Sequence, residues 1–205
     1  MSVEFRDICA LIVIALMVLF AVRYSYQIYK KDISPTLSTW ILFFVGVGLS
    51  LVTYLLSEDF DVISGINNTV DILVVIAMIA SILRWGNKTV RFRPWEKYYL
   101  LTAGAIVLYA VITGDLFKSN LFAQVLIAIG AIPTINTMIA ERRNTESFTA
   151  WGLVWTAHAV GLVSSLVNGN ILSATYVIRG LVSITITLAV MIYFEVRTRR
   201  QSTDK

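Results

Sequence analysis

Seven apolar stretches, each near the length that crosses a bilayer, leave this chain little choice of fold. They run over residues 8–28, 35–56, 62–83, 98–113, 121–140, 148–167 and 171–194. A spanning helix needs roughly 20 predominantly apolar residues. Backbone N–H and C=O groups in hydrocarbon must bond within their own segment, so unbroken apolar runs of this length read as helices and not as barrel strands. The fourth stretch is the shortest. Of 205 residues, 57% are hydrophobic and 15% charged, against about 25% charged in a soluble domain. The expected fold class is therefore an all-α membrane protein of seven transmembrane helices, with short connections and no soluble domain at either terminus.

The cations set the expected orientation. Lys30, Lys31, Arg84, Lys88, Arg91, Arg93, Lys97, Arg142, Arg143, Arg197, Arg199, Arg200 and Lys205 fall on one side of the seven spans, while Arg6 and Lys118 alone fall on the other. The second connection, with Glu58, Asp59 and Asp61, is acidic. Cytoplasmic loops carry the excess Lys and Arg, which predicts an outside amino terminus, a cytoplasmic carboxyl terminus and a cell-membrane location. The net charge of +4 then follows from positive-inside loops and requires no nucleic-acid partner. Arg91, Arg93 and Lys97 can meet anionic headgroups. Glu4 and Asp7 and the lack of a small-residue cleavage site argue against a cleaved signal peptide. Cys9 is the sole cysteine, so no internal disulfide forms. The sequons at Asn67 and Asn87 read as chance.

An internal duplication appears when Trp40 is aligned with Trp151, an offset of 111. Residues 26–40 read YQIYKKDISPTLSTW and residues 137–151 read TMIAERRNTESFTAW. Each is a helix end, a basic turn, a hydroxyl-rich helix start and a tryptophan. GLSLV at 48–52 then matches AVGLV at 159–163, and two residues fewer in the outer turn set Ser64 opposite Ser173. The expected organisation is a three-helix repeat over 1–84, a basic loop and linker helix over 85–117, and a second three-helix repeat with a short tail over 118–205. One linker helix makes the halves parallel, with a pseudo-twofold axis along the membrane normal and a cavity where they meet.

Residues 131–151, AIPTINTMIAERRNTESFTAW, resemble the PQ-loop family, which includes the SWEET sugar transporters and the lysosomal amino-acid exporters. Pro133 stands at the family's proline, Thr134 replaces its glutamine, and Val22-Arg23 occupies the matching pair in the first half. The resemblance implies two parallel three-helix bundles joined by a linker helix. It also implies asparagines on the third and seventh helices at the solute site, where this chain has Asn67 or Asn68 in one half and Tyr176 or Val177 in the other.

Polar groups inside the spans supply candidate site residues, because a charge at the centre of a spanning helix costs about 2.5–3.5 kcal/mol on insertion scales. Asp71 lies two turns into the third helix with Asn67 on the same face and Asn68 beside it. Arg179 lies at nearly equal depth in the seventh, on a stripe with Tyr176 and Ser183. An Asp71–Arg179 ion pair across the central cavity is expected, serving either the solute or the cohesion of the two halves. His158 is a candidate proton carrier, or a histidine bonded to Thr156 or Ser164. Trp155 is the candidate for stacking on a solute, and Trp40 and Trp151 are expected in the interfacial aromatic belt. Arg23 snorkels. Gly46 and Gly48 admit close helix approach or bending, and Pro133 gives the fifth helix a hinge.

The leading functional expectation is a small polar-solute transporter or facilitator working by alternating access. The alternative is a seven-helix receptor or sensor on the same scaffold. An enzyme is disfavoured by the absence of a catalytic constellation at one depth, and a retinal protein by the absence of a lysine in residues 171–194. One histidine and one cysteine assemble no typical zinc site, so neither a metal nor a cofactor is expected. The expected partners are a small-molecule solute and membrane lipids, with homo-oligomerisation left open.

Overall fold

In the computed structural model, residues 3–58, 60–86 and 94–203 are described. Asp59, Lys88, Arg91, Arg93, Lys205 and the sequon at Asn87 lie outside them. The described residues are helical apart from their connections. The helices are α1 (Val3–Lys30), α2 (Leu37–Leu55), α3 (Ile66–Trp85), α4 (Pro94–Thr113), α5 (Leu116–Gly130), α6 (Ile132–Glu141), α7 (Phe148–Val167) and α8 (Ile171–Thr203).

Local chemistry sets the boundaries. Lys31 (φ 63°) and Arg142 (φ 53°) enter the left-handed region and end α1 and α6. The Asp115 carboxylate accepts the Lys118 N–H at the start of α5, and the Ser147 hydroxyl accepts the Ala150 N–H at the start of α7, each satisfying an orphan donor of a first turn. Pro133 sits in the first turn of α6, where its missing N–H removes no helical bond. The apolar run Leu116–Glu141 is consequently two helices with a break at Ala131.

Among the described residues, six helical runs are long and apolar enough to cross a membrane: Phe5–Lys30, Leu37–Leu55, Ile66–Trp85, Leu116–Glu141, Phe148–Val167 and Ile171–Thr198. The expected seventh, the fourth in order, has an apolar part of only Lys97–Thr113. The helix that carries it, α4, has 20 residues, about 30 Å at 1.5 Å per residue and comparable to a hydrocarbon core. The chain is a helical membrane protein by this measure. Its outer surface agrees, since Leu11, Val22, Leu101, Val111, Ile112 and Ile171 all point outward, a coat that hydrocarbon solvates and water would not.

Neighbour relations are simple. Helix α1 packs on α3 and α7, α7 on α8, α2 on α3 and α5, and α5 on α8, while α4 lies against α5 and α2. Gly46 explains the α2–α5 approach, because a Cβ there would come within 2.8 Å of Ile127 Cγ1 and the Tyr99 hydroxyl. Gly48 has no such tight neighbour. The largest apolar cluster joins Met17, Phe20 and Tyr24 of α1 to Trp40 of α2, Val74, Val75 and Met78 of α3, Trp151 and Val154 of α7, and Ile184 of α8. Trp40 and Trp151 therefore belong to the interior, at 4% and 6% exposure, and not to the interfacial belt expected for them. Their indoles follow the inward stripes of α2 and α7.

Candidate functional site

The interior cluster is not filled. A cavity remains, with about 70 Å³ open to the centres of water molecules, lined by residues of α1, α2, α3, α5, α7 and α8 together with Ala131 between α5 and α6. One water needs roughly 10–15 Å³ on that measure. Most of the wall is apolar: Met17, Phe20, Trp40, Phe43, Val74 and Trp151. Six polar side chains line it, Asp71, His158, Tyr176, Arg179, Ser183 and Thr187, and the first four contact one another.

Their arrangement differs from a direct ion pair. The Tyr176 hydroxyl donates to Asp71 Oδ2 at 2.5 Å, and the Arg179 guanidinium carbon lies 4.6 Å from the Tyr176 ring centroid. The phenol stands between the two charges. It satisfies the carboxylate with its hydroxyl and the cation with its face. The expected Asp71–Arg179 ion pair is thus replaced by a three-part relay, because Tyr176 lies three residues before Arg179, one helical turn along the same face of α8. Arg179 Nε donates to Gln124 Oε1 at 3.4 Å, while its Nη2 is buried with no hydrogen-bond partner.

His158 stacks on Tyr176 with ring centroids 6.2 Å apart and planes at 18°. Its Nδ1 is 3.0 Å from the Val154 carbonyl, an acceptor, so Nδ1 carries the hydrogen. Nε2 then faces Asp71 Oδ2 at 3.6 Å. A proton on either group turns this contact into an attraction. The expected Thr156 and Ser164 partners are not used: the Thr156 hydroxyl bonds the Gly152 carbonyl, and Ser164 Oγ is buried without a partner. Gly180 makes room for the imidazole, since a Cβ there would stand 2.1 Å from His158 Cδ2.

The asparagines occupy the layer beyond Asp71. Asn67 Nδ2 reaches the Ala157 carbonyl at 3.4 Å, and its side chain fills the notch above Gly161, where a Cβ would lie 1.8 Å from Oδ1. Asn68 Nδ2 donates to Ser50 Oγ at 3.0 Å. Ser50 Oγ also accepts from Gln124 Nε2 at 2.8 Å, and the Ser50 carbonyl from Asn120 Nδ2 at 2.8 Å. Neither asparagine lines the cavity; they tie α3 to α7 and α2. Trp155 lies elsewhere, 41% exposed on the outward face of α7 with its indole N–H given to Thr185. Pro133 lies just past the break at Ala131, which itself lines the cavity. Of the expected site residues, Asp71, His158, Tyr176 and Arg179 converge. Asn67 and Asn68 flank them, and Trp155 and Pro133 stand apart.

Sequence reasoning passed over Gln124, Asn120 and Ser50, the buried amides and hydroxyl that link Arg179 to α2. The spacing of Asn120 and Gln124, one helical turn apart at the start of an apolar run, was the available signal. It also passed over Glu146.

Hydrogen bonds join the two halves of the chain at both ends of the bundle. At the end bearing Lys30, Lys31, Arg142 and Arg143 (the basic end), the α1–α2 and α6–α7 connections join through Ser34 N–H to the Thr145 carbonyl at 3.2 Å. Thr36 and Thr39 bond the hydroxyls of Thr137 and Thr134, each at 2.9 Å. Below them the Glu146 carboxyl, 5% exposed, accepts the Tyr24 hydroxyl at 2.5 Å and the Trp151 indole N–H at 3.0 Å on one oxygen. At the opposite, acidic end, Ser173 Oγ bonds the Ser64 carbonyl, and Asn168 Nδ2 donates to Ser64 Oγ at 3.1 Å. A polar hollow of about 290 Å³ lies outside this contact, lined by Arg6, Glu58, Asp61, Ser64, Asn168 and Asn170. Burial acts to raise the Asp61 carboxyl, but bonds from the Ser64 hydroxyl and N–H and the Arg6 guanidinium at 2.6 Å outweigh it and hold Asp61 below the usual range.

Comparison with known protein families, with curated proteins and with solved structures finds no match to this chain.

Proposed function

We propose that this protein is a transporter or facilitator for a small polar solute, of the SWEET-like, PQ-loop type, working by alternating access between two parallel three-helix bundles. The supporting observation is the interior cavity into which Asp71, His158, Tyr176 and Arg179 project together, with a guanidinium nitrogen left unbonded. Buried polar groups are ordinarily satisfied. Such a residue inside a membrane span reads first as a solute or ion site.

The bundle assignment rests on pairings that survive exchange of the halves. Under the 111-residue offset α1 corresponds to α5 with α6, α2 to α7, and α3 to α8. The α1–α7 and α2–α5 contacts then exchange, as do α1–α3 with α5–α8 and α2–α3 with α7–α8. Lys31 and Arg142, the two non-glycine residues of positive φ among those described, are related by the same offset, as are Ser34 and Thr145, which bond each other. Helix α4 is the linker. The basic end faces the cytoplasm by the distribution of Lys and Arg.

The contacts that join the halves at the two ends would part in turn as the site opens first to one side and then to the other. The break at Ala131 and Pro133 is the hinge about which α6 swings. The test uses purified full-length protein in liposomes, offered labelled amino acids, sugars and vitamins. Uptake of one class, lost in Asp71→Asn and in Arg179→Gln, supports the reading. Binding without uptake, or no response to any solute, overturns it, and binding alone points to the receptor.

A further inference from the structure

We infer that Glu146 is a proton-binding site that makes the closure at the basic end responsive to pH.

Glu146 is in the α6–α7 connection, the segment that meets the α1–α2 connection through Thr145 and Ser34. Its side chain turns inward and not toward the arginines of its own loop. Arg143 pairs instead with Glu141, at 2.8 Å. The groups that reach the Glu146 carboxyl are the Tyr24 hydroxyl from α1 and the Trp151 indole from α7. Asn144 engages only the Glu146 backbone. Among the described residues, Tyr24 is the titratable group that bonds the carboxyl, and no charged side chain is among the causes of its shift. An acid in such a place is poor at holding a negative charge. Burial pushes it up to about 7, although the bonds from Tyr24 and Trp151 oppose the rise. Loss of the proton leaves a charge buried with two neutral donors, which water would hold better than the closed loops do.

The two donors are also parts of the cavity wall or its support. Trp151 lines the cavity. Tyr24 packs edge-on against Trp40, which lines it from α2, with centroids 5.5 Å apart. A shift of the Glu146 carboxyl therefore moves the cavity floor from both halves of the molecule at once. The sign follows from linkage. The carboxyl binds its proton more tightly when closed over than when wetted, so protonation favours the closed loops and deprotonation favours their parting. Asp71 and His158 form a second titratable pair in the same cavity, at 3.6 Å. The test must separate the two.

The inference needs the loops to part during a working cycle and so rests on the alternating-access reading, but proton binding is read with no solute present. The full chain carrying Cys9→Ala and Thr145→Cys is placed in nanodiscs of phosphatidylcholine. Labelling by a membrane-impermeant maleimide, corrected for intrinsic thiolate reactivity with a free cysteine peptide, is followed from pH 5 to 9 beside tryptophan emission. The expected result is several-fold faster corrected labelling above a midpoint near 7, with an emission change at the same midpoint. Glu146→Gln removes both transitions and stays slow at every pH. Tyr24→Phe, which takes away a donor that favours the charged form, moves the midpoint upward. Asp71→Asn leaves the midpoint in place. Transitions that persist in Glu146→Gln, or that vanish in Asp71→Asn instead, overturn the inference, as does labelling that is flat with pH in the parent. Failure of solute uptake in liposomes would count against the transporter reading and leave these transitions intact.

Discussion

The Tyr176 hydroxyl reaches the Asp71 carboxylate at 2.5 Å, and the ring that carries it lies under the Arg179 guanidinium. One residue thus serves two opposite charges on two helices. A buried ion pair would have returned attraction only against a large desolvation cost. Interposing a phenol keeps the carboxylate bonded while leaving the Arg179 Nη2 without a hydrogen-bond partner.

Tyr176→Phe should expose this dependence. Removing the hydroxyl leaves the Asp71 carboxylate without its short bond, at a cost of about 1–3 kcal/mol. A double-mutant cycle with Asp71→Asn, followed by thermal unfolding in detergent, should show coupling between the two. Additive effects would mean that the bond contributes nothing to the fold.

Gly161→Ala should fail to accommodate the asparagine of α3, because the new methyl would stand 1.8 Å from Asn67 Oδ1. Overpacking of this kind costs about 1–3 kcal/mol. Asn67→Ala in the same chain should restore much of the loss, and a thermal melt of the single and double variants reads it. A Gly161→Ala protein as stable as the parent would show that α3 and α7 do not approach this closely.

Stability should respond to pH in opposite directions at the two ends. Glu146, raised to about 7 when folded, favours the fold while protonated. Its contribution is fully present below the unfolded value near 4.3 and is lost as pH rises through about 7. Asp61 is lowered, so its contribution is present above the unfolded value near 3.9 and is lost as pH falls through its folded one. Glu146→Gln should therefore gain on the parent between pH 5 and 8, by an amount on the order of 3 kcal/mol. Asp61→Asn should lose on the parent at pH 7 by less than about 1 kcal/mol, since the Arg6 pair is partly exposed. Melting curves across pH 4 to 8 decide both.

Pro133→Ala should let α5 and α6 approach one continuous helix by returning an N–H to the first turn of α6. Slower hydrogen exchange over residues 130–134 would report the fused helix. If the break is the hinge, solute uptake should fall several-fold while the protein remains folded. Unchanged uptake would remove the hinge from the mechanism.

Much of the architecture was legible before any coordinates. Apolar runs and the alternation of basic with other loops follow from bilayer thickness and loop charge, which act on each segment separately. The offset of 111 that aligns Trp40 with Trp151 also separates the left-handed caps at Lys31 and Arg142. That the fourth run is short was visible too. Helical periodicity put Asp71 and Arg179 at one depth and Tyr176 on the Arg179 stripe.

Tertiary structure alone decided which neighbours those stripes meet. Helix rotation and crossing place Tyr176 between the two charges, turn Trp155 outward to Thr185, and bury Trp40 and Trp151 under the loops. They also bring Tyr24 to Glu146 across 122 residues of chain. Periodicity specifies the face of a helix on which a side chain lies. The hydrogen bonds and packing that select its partner depend on distances between helices, and those exist only once the bundle has closed.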